Sequence, residues 1–197
     1  MCLSLAKANA QAPLANYGLQ HEPTLSILER MEAIVQENVK IIDEAITIQR
    51  ESLEGRMERY YEEFFNDLLS KAHDYIGTPY RSGGRTPKGF DCSGFTRYVF
   101  SRYGVKLSAS SGTQINDGKR IERDEVKKGD LIFFKGRNSG SSRIGHVGIV
   151  SDSDEDGNIK FIHSATSGGV KVSSIKEPYY ANRYAGSVRI DLKAPQL

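Results

Sequence analysis

The chain has 197 residues, of which 38% are hydrophobic and 9% aromatic, with no Trp. That is room for one ordinary domain and an accessory segment. With 27 basic and 25 acidic residues the net charge is +2, which supplies no broad basic field for nucleic acid. The only cysteines, Cys2 and Cys92, form neither a disulfide framework nor a zinc-type C-x-x-C pair, and no apolar run is long enough to span a bilayer.

Residues 1–23 read as a flexible tail or the remnant of a secretory signal. "MCLSLAKANAQA" passes from a short apolar run to small residues at A-x-A-like spacing. Cys2 as a lipid acceptor is the weaker alternative. From Thr24 the pattern turns helical, and residues 24–65 read as a helical extension. "SILE" at 26–29 has the form of a capping box, with Ser26 as cap and Glu29 reaching back. Ile27, Met31, Ile34, Val35, Val39, Ile42 and Ile46 then recur at three- and four-residue steps. Gly55 marks an expected break. Phe64, Phe65, Leu68, Leu69, Ala72 and Ile76 resume the stripe until Gly77 stops it. His21 and His73 read as surface or packing residues.

"GTPYRSGGRTPKG" is a loop by its glycine and proline content. "CSGFTRYVFSRYG" is a helix with Phe95, Tyr98, Val99 and Tyr103 at helical spacing and Gly104 as its stop. Beyond it lie the strand-like runs "DLIFF", "HVGIVS", "IKFIHS", "VKVSS" and "GSVRID". Helices followed by a run of strands predict an α+β fold with an antiparallel sheet.

The chemistry gathers around "GFDCSGF". Asp91 is a good N-cap, which puts Cys92 in the first turn of a helix, where unpaired N–H groups and the helix dipole favour a thiolate. Ser93 and Gly94 are small enough to let a substrate chain approach. A lone cysteine there is a candidate nucleophile, although a free Cys is more often a small buried hydrophobe. Such a nucleophile needs a base, and the base needs an orienting group. His146 opens "HVGIVS" and His163 lies in "IKFIHS". If these runs form a hairpin with Ser151 facing Asn158, His146 faces His163 directly on one side of the sheet. The alternatives are two unrelated strand histidines or a metal pair, the latter lacking clear third and fourth ligands. "DSDEDG" at 152–157 matches half of an EF-hand loop, but its twelfth position is His163 rather than Glu, and its flanks read as strands. A solvated acidic turn is the better reading.

Taken together, "IGTPYRSGG", "FDCSGF", "KKGDLIFF", "GHVGIV" and "FIHS" occur in an order that resembles the NlpC-type cysteine peptidases, a papain-like group cutting bacterial cell-wall peptides. The resemblance covers roughly residues 66–191 and implies a papain-like domain over 66–197. It implies Cys92 as nucleophile, His146 as base and His163 as the orienting residue. Tyr80 is implied at the oxyanion site, and Asp91, Ser93, Ser110 and Ser111 near bound substrate. The implied activity is hydrolysis of peptidoglycan stem peptides, at the bond between D-glutamate and a diamino acid, with no cofactor. It also implies a secreted, periplasmic or envelope-associated protein. The chain departs from the family pattern at Ser82, where a large apolar residue is usual before the Gly pair, and at Ala109, where an Arg is usual. Another papain-like activity (amidase, acyltransferase or deamidase) and a non-catalytic wall-binding module are the competing readings.

Overall fold

The computed structural model describes residues 26–136, 140, 142–154 and 156–192. The N-terminal stretch with Cys2 and His21, and the tail or signal reading with it, lies outside the described residues. Helix α1 (Ile27–His73) begins at the expected capping box. Ser26 Oγ accepts from the Glu29 amide at 3.2 Å, and Glu29 Oε2 accepts from the Ser26 amide at 2.7 Å. The expected break at Gly55 does not occur. One glycine costs a helix about 1 kcal/mol relative to Ala, and the good helix formers around it offset that.

The chain divides into two compact units, 1–52 and 53–197. In the first, the described residues are helical and exposed. In the second, the remainder of α1 buries Leu68, Leu69 and Ala72, the residues its three- and four-residue spacing aligns on one face. Gly77, at φ 86°, turns the chain away after the helix and donates its N–H to the Val170 carbonyl at 2.9 Å.

A small hairpin, β1 (Arg85–Thr86) and β2 (Gly89–Phe90), leads into α2 (Cys92–Ser101), followed by α3 (Ser111–Gln114). The strands are β3 (Lys119–Ile121), β4 (Leu131–Lys135), β5 (Ile144–Ser153), β6 (Ile159–Ala165), β7 (Gly169–Ser174) and β8 (Tyr184–Arg189), with the short α4 (Pro178–Ala181) before β8. They form one six-stranded sheet in the order β3-β8-β4-β5-β6-β7, antiparallel at every pairing. This is the expected α+β arrangement.

The continuous apolar run "LIFF" of β4 is buried on both faces. Leu131 and Phe133 pack with Val147, Ile149, Ile162 and Val188 against Phe95, Val99 and Phe100 of α2 and the end of α1. Ile132 and Phe134 pack on the opposite side with Val150, Phe161, Ile175 and Tyr180. Two apolar layers thus fix β5 and β6, the strands that carry the two histidines. Among the described residues no helix is long and apolar enough to cross a membrane.

Candidate active site

The turn before α2 is built as its local sequence predicts. Asp91 takes an extended backbone conformation (φ −88°, ψ 177°), and its Oδ1 accepts from the Gly94 amide at 2.6 Å and from Ser93 Oγ at 3.1 Å. Cys92 is the first residue of the helix and is 9% exposed. The small residues after it also serve the fold. A side chain at Gly94 would run into the backbone carbonyl of Gly84, and Ser93 is itself buried. Ser164 Oγ, next to His163, donates to the Phe90 carbonyl at 2.8 Å and ties β6 to the turn before Cys92.

The β5–β6 hairpin brings His146 and His163 together by a different register from the one expected. Ile149 faces Ile162 and Val150 faces Phe161, then the pairing shifts so that Asp152 faces Lys160 and Ser153 faces Ile159. Ser151 is the extra residue of this irregularity and does not face Asn158. Extending the pairing 149↔162 by one step puts His163 opposite Gly148, so His146 is its diagonal neighbour, two residues along the same face. A side chain at Gly148 would crowd Phe161 and the His163 Cβ at 3.1 Å, so glycine there gives His163 room. The rings meet edge to face, with centroids 4.8 Å apart and planes at 88°, and His146 Nε2 lies 2.8 Å from His163 Nδ1. The acidic tip is a turn between strands. Gly157 donates to the Asp154 carbonyl at 3.0 Å and Asn158 to Asp154 Oδ1 at 2.8 Å.

Burial sets the electrostatics. It is the main cause lowering His146 to about 4, with the Lys171 cation adding to it. His163, fully buried, is lowered to about 2 by burial, then by His146 and Lys171. Both rings are therefore neutral at neutral pH. The Cys92 thiol is pushed up, first by burial and then by the Asp91 carboxylate. The amides of Val147, Ser93 and Cys92 itself hydrogen-bond toward the sulfur and favour thiolate, but they do not overcome burial. The thiolate expected from the helix start alone is thus not the resting state. Burial thus disfavours charge on the thiol and on both imidazoles.

The contact with Val147 also locates Cys92 against β5, one residue from His146. Tyr80, half-buried, lies in a short bridge with Phe90, and its hydroxyl is raised by burial, then by Cys92 and Asp91. It stands within electrostatic reach of the sulfur and keeps its proton. Ser110 caps α3 and is engaged with Thr113, their hydroxyls 2.9 Å apart, while Ser111 is buried as the first residue of that helix. Sequence reasoning gave no role to two buried residues beside the site. Gln114 accepts from Thr96 Oγ1 at 2.9 Å and donates to the carbonyls of Ser93 and Ser108 at 3.1 and 2.9 Å, locking α3 to α2. Tyr180 Oη lies 3.3 Å from His163 Nε2. Nothing in "EPYYANRY" separates Tyr180 from its neighbour Tyr179, which is 52% exposed.

Residues 77–189 match the model of the NlpC/P60 family. The chain is 40% identical over 124 residues to a probable endopeptidase NlpC homolog of Haemophilus influenzae, covering 62% of this chain and 61% of that one. It is 38% identical over 124 residues to the murein DD-endopeptidase MepS/murein LD-carboxypeptidase of Escherichia coli K12, with the same coverage. The match thus spans about three-fifths of the length of each relative. Among solved structures, an NlpC/P60 family protein from Bacillus cereus superposes with a TM-score of 0.58 at 31% identity, over 64% of this chain and 39% of that one. With the motif order, the papain-like arrangement of helices on an antiparallel sheet and these matches in agreement, the chain belongs to the NlpC/P60 family.

Proposed function

We propose that this chain is a cysteine peptidase that hydrolyses amide bonds in peptidoglycan peptides, with Cys92 as nucleophile, His146 as base and His163 as the residue that orients it. One observation carries the reading: the 2.8 Å bond between His146 Nε2 and His163 Nδ1, on the strand whose Val147 amide faces the Cys92 sulfur. With Nε2 committed to His163, Nδ1 is the nitrogen left for the thiol.

A neutral thiol and a neutral imidazole make this a general-base reaction. Cys92 Sγ attacks the scissile carbonyl as its proton passes to His146 Nδ1. The oxyanion accepts hydrogen bonds from the Cys92 amide and the Tyr80 hydroxyl. The C–N bond then breaks and the leaving amine takes the proton from His146. Water, deprotonated by His146, attacks the thioester to give the carboxylate product and the free thiol. None of these steps needs a metal or organic cofactor. Asp91, Ser93, Ser110 and Ser111 lie near the bound peptide in this reading.

The family resemblance points to the bond between D-glutamate and a diamino acid. The relatives named above as DD-endopeptidase and LD-carboxypeptidase make two other bonds worth testing, since Ala109 stands where the family pattern usually has an Arg. Peptidoglycan as substrate places the protein on the envelope side of the cell. The test is hydrolysis of defined muropeptides offering all three bonds, with Cys92→Ala, His146→Ala, His163→Ala and His163→Asn beside the wild type. The first two are expected to lose nearly all turnover, His163→Ala much of it, and His163→Asn to regain part. Wild-type turnover in Cys92→Ala excludes the nucleophile. An unchanged rate per folded molecule in His163→Ala excludes the orienting role.

A further inference from the structure

The line of polar groups does not end at His163. Its far nitrogen, Nε2, lies 3.3 Å from Tyr180 Oη, and the Tyr180 hydroxyl is hydrogen-bonded in turn to the Ser173 side chain. The groups come from β5, β6, β7 and α4, and His163, Tyr180 and Ser173 are all buried. Tyr180 is held by rings on several sides. Its centroid is 5.1 Å from Phe134, 4.9 Å from Phe161 and 5.4 Å from His163. The hydroxyl therefore has a fixed position relative to the imidazole.

That position bears on the tautomers of both histidines. A neutral His146 accepts the thiol proton at Nδ1 only if its own proton is on Nε2. Nε2–H then donates to His163 Nδ1, which must be bare, so the His163 proton sits on Nε2. A buried N–H left without an acceptor costs about 1–3 kcal/mol, and Tyr180 Oη stands where the acceptor is needed. In the opposite arrangement His163 Nδ1–H donates to His146 Nε2, the His146 proton moves to Nδ1, and the base is blocked.

We propose that Tyr180 is a positioning residue, which accepts from His163 Nε2–H and so holds both histidines in the tautomers that keep His146 Nδ1 open to Cys92. The proposal rests on the triad reading above and adds a fourth member to it. Tyr180 keeps its proton, and with its O–H turned toward its partner Ser173 a lone pair is left for His163 Nε2–H. Burial holds the Tyr180 hydroxyl above its ordinary pKa, so it stays neutral throughout. When His146 takes up the thiol proton, its Nε2–H bond to His163 becomes charge-assisted, and the same line of groups spreads the new charge.

Tyr180→Phe keeps the ring and deletes the oxygen. The expected result is a 10- to 100-fold fall in kcat with KM unchanged, on the scale of losses when the partner of a functional histidine is removed. Nitrogen-15 spectra of histidine-labelled protein read the cause directly. Wild type is expected to show His163 protonated at Nε2 and His146 at Nε2, and Tyr180→Phe to show the opposite tautomers appearing. A folded Tyr180→Phe with wild-type kcat and tautomers overturns the proposal. Should Tyr180→Phe not fold, Ser173→Ala decides. It is expected to shift the tautomers the same way with a smaller fall in kcat, and unshifted tautomers there overturn the proposal. The same spectra recorded in Cys92→Ala separate the two readings. Wild-type tautomers in a Cys92→Ala protein that still hydrolyses remove the nucleophile and leave the histidine line standing.

Discussion

The resting protonation state of the site can be read by alkylating Cys92 across a range of pH. His146 at about 4 is imidazolium in only about one molecule in a thousand at pH 7. A free thiol with pKa about 8.5 is thiolate in about 3% of molecules at that pH, and Cys92 lies above its ordinary value, so the fraction is smaller still. The rate of reaction with iodoacetamide is therefore expected to be low at pH 7 and to climb at least about 30-fold toward a plateau above pH 9. No shoulder is expected between pH 4 and 7. The physical cause is burial, which disfavours the charged form of both partners and outweighs the three amides that face the sulfur. An activated ion pair would behave differently, with a rate plateau beginning near pH 4 and continuing through neutrality. That plateau would refute a neutral resting pair and restore the thiolate expected from the helix start.

Acid stability tests the two histidines by another route. Below pH 6.5 the unfolded chain binds a proton at each of His146 and His163 while the folded chain binds none until about pH 4, so stability rises with pH across that window. Each histidine contributes a slope of about 1.4 kcal/mol per pH unit, and His163→Asn is expected to remove one of the two contributions. Urea unfolding of the two proteins at pH 6, 5 and 4 measures the difference, and equal slopes refute the burial assignment. Gln114→Leu fills about the same space and removes the donor to the Ser108 carbonyl, while the Ser93 carbonyl keeps Thr96 Oγ1 at 3.0 Å. At about 1–3 kcal/mol for one unsatisfied group, the variant is expected to lose about 1–3 kcal/mol of unfolding free energy at pH 7. A loss under about 0.5 kcal/mol would show that α3 is not tied to α2 through this residue.

Features set by neighbours within a turn of chain were legible in the sequence. The Ser26–Glu29 capping box, the Asp91 cap and Cys92 at the start of α2 each depend on groups three residues apart or fewer. The pairing of the histidines was legible only in part. Side chains alternate with a period of two, so a register error of two residues still left His146 and His163 on one face, and the rings do meet. The register itself was not legible, because it depends on an irregularity at Ser151 that no local pattern announces.

What the sequence by itself determined was the elements on which Cys92, His146 and His163 lie. What only the tertiary structure decided was their surroundings. Gly94 is small because the Gly84 carbonyl of another segment lies against it. Burial of Cys92 by the packing around it pushes its thiol up, a long-range effect that opposes the local pull of the helix start. Tyr180 stands beside His163 and Tyr179 does not, since α4 turns one toward the core and the other toward solvent. Each of these outcomes depends on residues far apart in sequence brought together by burial, and a linear reading contains no term for that contact.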